Sequence, residues 1–128
     1  MNYYISTFTN QSFEETLELV TTYLKDEGFG IITEIDVKET MKNKLDIDFK
    51  KYKILGACNP QLAFTALTSE DKVGVLLPCN VVVIEQENGM VEISAMDPVS
   101  TMENIGNKAL QEVASLVYEK LKKVLSRF

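Results

Sequence analysis

CNVVVIEQENGMVEISAMDP, residues 79–98, decides the fold. Two runs of strand-forming residues flank Asn88-Gly89, a dipeptide suited to a type I′ hairpin turn, so the stretch predicts two antiparallel strands in direct sequence. In the first of them Val81 and Val83 alternate with Val82 and Ile84, which makes it apolar on both faces, as a central strand is. Its partner, MVEISAM, carries polar residues on one side. A helix layer covers only one face of a sheet, and the second apolar face therefore predicts a homodimer formed through the open side.

Upstream, YKILGA at 52–57 reads as a further strand, stopped by Cys58-Asn59-Pro60. Asn59 suits an N-cap and Pro60 a first helical position, so PQLAFTALTSE predicts a helix of two or three turns. DKVGVLLP then connects to Cys79, with Pro78 placed where a missing ladder hydrogen bond is tolerated. Nearer the start, NYYISTF predicts a strand. Ser12 and Glu15 form a capping box for a helix with Phe13, Leu17, Val20 and Leu24 on one face and Gly28 as its stop. FGIITEIDV predicts a strand with Phe29, Ile31, Thr33 and Ile35 on one face. Asp36 and Glu39 allow a short helix after it.

Downstream, Asp97-Pro98 predicts a turn, and Ser100 with Glu103 offers a capping box for a long last helix whose apolar stripe begins at Ile105. The order is strand, helix, strand, short helix, strand, helix, two strands, helix. It predicts an α+β fold, a single domain over residues 1–128 with one mostly antiparallel sheet of about five strands and helices on one face.

Composition narrows the function. The chain has 128 residues, 45% hydrophobic and 25% charged, enough for one real core. A formal charge of -6 repels phosphate backbones and anionic lipid, so neither nucleic acid nor a membrane is expected as a partner. The first residues resemble no signal peptide and no run approaches the length of a membrane span, so a cytoplasmic location is expected. There is no histidine, which excludes Ser-His, Cys-His and HExxH chemistry, and no GxGxxG or P-loop pattern occurs. A small non-enzymatic, dimeric ligand-binding or regulatory protein is the expectation. Carboxylates acting with Tyr52 or Lys53 are an alternative that no motif supports.

The two cysteines are the residue types with the most chemistry left. Cys58 ends one strand and Cys79 begins another, so antiparallel pairing places both at the same end of the sheet. Two readings stand. Both can be core residues, since free cysteine is commonly buried. Alternatively they share a site, with Cys58 favoured as a thiolate before a helix N-terminus, acting as a redox pair or as ligands for Cu(I), or for zinc if other groups complete the shell. The same region offers a ligand-binding cleft between the helix start at Asn59 and Pro60 and the loop at Pro78 and Asn80, where helix N–H groups could hold a small anion.

GACNPQLAFTAL at 56–67 followed by VGVLLPCNVVVIEQENGMVEISAMDP at 73–98 resembles the domain of unknown function 302 family. Asn59, Pro60, Leu77, Pro78, Gly89 and Pro98 match its pattern, and the two cysteines resemble the mark of one branch. The resemblance implies a fold like half of a TATA-binding protein (β-α-β4-α), commonly dimeric. It implies no established activity, and a likeness of fold carries no DNA binding with it.

Overall fold

The computed structural model describes residues 2–128. Strand β1 (Tyr4–Thr9) leads to helix α1 (Phe13–Asp26), where the Ser12 hydroxyl accepts the Glu15 N–H at 3.1 Å. Helix α1 is closed off by Gly28, two residues past its end, whose φ of 86° is left-handed; the Phe29 N–H reaches the Leu24 carbonyl and the Gly28 N–H reaches that of Lys25. This turn folds Phe29 back onto Leu24, and both are buried. Strand β2 (Gly30–Asp36) runs directly into α2 (Val37–Leu45), which is capped by Asp36 and buries none of its side chains.

Strand β3 (Tyr52–Cys58) precedes α3 (Pro60–Ser69), capped by Asn59 and followed by a 3-10 turn (Asp71–Leu76). Strands β4 (Cys79–Glu85) and β5 (Val91–Met96) form the hairpin. Short α4 (Pro98–Met102) and long α5 (Lys108–Leu125) complete the chain.

The sheet is antiparallel throughout, in the order β1-β5-β4-β3-β2. Strand β4 is central, as its two apolar faces require. Leu55, Val81, Val83, Ile93 and Ala95 point to one side and meet Val20 and Leu24 of α1 and Leu110, Val117, Leu121 and Val124 of α5 in one core. The other side presents Tyr52, Ile54, Val82, Ile84 and Met96, with Tyr4, Phe8 and Ile35 exposed around them. Across its β1-β5 side runs a polar seam: the Ser6 hydroxyl donates to Glu92 Oε2 at 2.6 Å and lies 2.7 Å from the Ser94 hydroxyl, while the Gln86 amide donates to Glu92 Oε1 at 2.7 Å.

Three local expectations change. The hairpin is closed by a type I turn, with the Gly89 N–H on the Gln86 carbonyl; Gly89 is left-handed but Asn88 is not, so the loop has three residues in place of a two-residue I′ turn. The last helix does not start at Ser100. Asp97 accepts the N–H groups of Val99 and Ser100 to cap α4, Gly106 breaks the path with a φ of 73°, and Asn107 caps α5, leaving Ile105 in a 3-10 turn ahead of it.

Finally, β2 does not alternate evenly. Ile31 pairs with Ala57 and Thr33 with Gly56, so Ile32 is an inserted bulge residue, and Phe29 and Ile31 fall on the opposite side of the sheet from Thr33 and Ile35.

Candidate functional site

The chain path at one end of the sheet builds a cavity. Strand β3 ends at Cys58 and the Asn59 cap turns the chain into α3, while β4 enters beside it after Pro78. Helix α5 crosses below, and Met102 of α4 closes one side. Between them lies a cavity of about 290 Å3, lined by Phe29, Leu62, Ala66, Met102, Val113 and Val117 together with Ile32, Leu67, Pro78 and both cysteines.

Of the residues singled out in the sequence, Cys58, Asn59, Pro78 and Cys79 line this cavity together. The cysteines are not directly opposite one another: Cys79 pairs with Ala57, and Cys58 pairs with Gly30 of β2. Pro60 lies outside the cavity, exposed at the start of α3. Asn80 pairs with Gly56 and belongs to a separate depression on the open sheet face, beside Tyr4, Tyr52 and Glu92. Asn59 is held at both ends, since its Oδ1 accepts the Leu62 N–H at 3.3 Å and its Nδ2 donates to the Glu27 carbonyl at 3.5 Å. Of the two residues considered with carboxylates, neither lines the cavity: Tyr52 is on the open face, and Lys53 meets the Glu34 carboxylate at 2.6 Å, a contact that raises its pKa and keeps it protonated.

The model for the family described as Domain of unknown function DUF302 matches residues 5–128. The chain belongs to the DUF302 family. A crystal structure of an uncharacterized conserved protein DUF302 from Bacillus stearothermophilus is similar to it at 33% identity, covering 99% of this chain and 98% of that one, with a TM-score of 0.91. No curated protein matches the chain.

Within this DUF302 chain the two thiols are chemically unequal. Cys58 is half-buried, whereas Cys79 is buried, and its pKa is pushed up from 9.0 to about 11 by loss of solvent and then by the nearby Cys58. A raised thiol pKa disfavours the thiolate that a metal or an electrophile requires. Among the described residues no three of Asp, Glu, Cys and His gather at one point, so zinc would find only the two thiols.

Near neutral pH a thiol-specific disulfide reagent is expected to modify Cys58 first and Cys79 far more slowly, with Cys79→Ser removing the slow phase. Because burial favours the neutral thiol, Cys79 stabilises the fold below its unfolded value of 9.0, and that contribution is lost as pH rises toward about 11. Equal rates for both thiols in the native protein would contradict the buried placement of Cys79.

The sequence reading found the rim of the cavity and missed its floor. Leu62 and Ala66 fall in the helix predicted after Asn59, and Val113 and Val117 in the apolar stripe of the last helix; spacing does not distinguish a helix face that packs tightly from one that leaves a void.

Proposed function

We propose that this DUF302 chain is a non-enzymatic, dimeric binding domain of the cytoplasm whose cavity holds a small apolar molecule. The observation that carries the reading is the cavity: about 290 Å3 lined almost wholly by hydrocarbon, roughly twice the ~150 Å3 that admits benzene in an engineered protein core. A well-formed apolar pocket of this size is the usual form of a small-molecule site. The lining favours an apolar occupant over a small anion, since the Asn59 side chain already takes a first-turn N–H of α3. The two unbridged cysteines fit a reducing compartment. No helix among the described residues is long and apolar enough to cross a membrane. Dimerisation rests on the apolar open face of the sheet.

The test is an NMR titration of the labelled protein with benzene and with hexan-1-ol, repeated on Ala66→Leu. Ala66 is buried on the cavity wall, so the larger side chain fills the void. Shifts confined to the lining residues in the native protein, lost in Ala66→Leu with stability changed by less than about 1 kcal/mol, are expected. No binding by either probe would remove the reading. So would a loss of several kcal/mol in Ala66→Leu, which would mean that no void is there to fill.

A further inference from the structure

We propose that the cavity takes one unbranched hydrocarbon chain and that Ile32 and Leu67 form a portal through which the rest of that chain leaves; this rests on the cavity being a ligand site. The wall offers almost nothing to a polar ligand. Each end of the Asn59 amide already makes a hydrogen bond within the protein, and the thiols are weak hydrogen-bonding groups, so a compact polar ligand would find few partners for its buried atoms. No charged residue lines the cavity. What such a wall distinguishes is the amount of hydrocarbon it buries.

The mouth points to a chain longer than the cavity. The bulge in β2 leaves Ile32 without a cross-strand partner, and bulges beside functional sites commonly re-aim a side chain. Ile32 lines the cavity and yet is 62% exposed; Leu67 of α3 also lines it and is 44% exposed. One helical turn before Leu67, Phe64 extends the same apolar strip at 73% exposure. A ligand confined to the interior leaves these three side chains in water. A chain passing between Ile32 and Leu67 and lying toward Phe64 covers them, and its polar head then sits beyond the rim.

The experiment is calorimetric titration of the full chain with straight alcohols from butan-1-ol to decan-1-ol, on the native protein and on Ile32→Ser/Leu67→Ser. Affinity is expected to rise roughly fourfold per methylene through the whole series. In the double variant the gain over the longer members should fall below about twofold per methylene, because the rim no longer buries them. Both positions are exposed, and a cooperative unfolding transition checks that the variant is folded.

A plateau at the middle of the native series would overturn the portal and leave a site for compact apolar molecules. A rise that continues undiminished in the variant would place the exit elsewhere and also overturn it. Absence of binding by every alcohol would remove the ligand site itself, a different failure from either.

Discussion

Replacing Gly56 by alanine is expected to lower stability by about 2–3 kcal/mol, near the upper end of what overpacking costs. Gly56 lies in β3 between Thr33 on β2 and Asn80 on β4, and it is fully enclosed. A Cβ there would overlap the Thr33 hydroxyl and approach Pro78 Cγ to 2.8 Å. One obstacle is the branch of a β-branched residue and the other a ring, and neither is the free end of a flexible chain. Thr33, Pro78 or the strands that carry them must therefore shift. Since Gly56 has no left-handed φ, the cost is one of packing and not of torsion.

Against a total stability of roughly 5–15 kcal/mol the loss is large, and the melting temperature should fall by about 10 °C. Adding Thr33→Ala should recover part of the loss and not all of it, because the Pro78 contact remains. Denaturant unfolding reads the result. A Gly56→Ala protein within about 0.5 kcal/mol of the native one would show that the three elements do not approach so closely.

The second large effect concerns association. If the open face joins two copies, the native protein should sediment at micromolar concentration with twice the 14.4 kDa chain mass, and Val82→Glu should sediment as the single chain. Val82 lies in central β4, between Ile54 of β3 and Ser94 of β5. A carboxylate buried there without a partner costs several kcal/mol, enough to weaken a dimer by a factor of about a hundred or more.

The seam of Ser6, Gln86 and Glu92 meets the same requirement in another way. Both Glu92 oxygens already accept a hydrogen bond, which lowers the cost of covering this acid without removing it. Val82→Glu should leave the fold of each chain intact, because the substituted side chain points away from the core. A native protein that sediments as a monomer would dispose of the dimer at once.

Several features were legible in the sequence because they are written in local chemistry. Asn59-Pro60 announces α3, Ser12 and Glu15 announce α1, and the alternation from Val81 to Ile84 identifies a strand apolar on both faces. The failures are equally local in cause. Ser100 and Glu103 have capping-box spacing, but Asp97 stands earlier and caps with Pro98 at the next position, so a short helix starts sooner, ends at Met102, and is separated from α5 by a 3-10 turn and Gly106. The bulge at Ile32 left no mark, because Ile31 and Ile32 are the same residue type and no period reveals which one is inserted. The cavity floor was hidden for a related reason: a void is a property of how α3 and α5 sit against the sheet. The two cysteines were correctly placed at one end, while their one-residue offset depends on a register that strand composition does not specify.

Strand β1 lies at the edge of the sheet. Among the described residues its ladder partner is β5, with Tyr4 paired to Met96 and Thr9 to Val91, although three other strands are made between the two. Most of the chain must therefore leave the ribosome before β1 can form its ladder. By contrast, the two strands of the β4-β5 hairpin are joined by a short loop and can pair as soon as they emerge, since closing a short loop costs less entropy than closing a long one. Until β5 is made, Tyr4 and Phe8 have no cross-strand partners, and this edge of the sheet stays open.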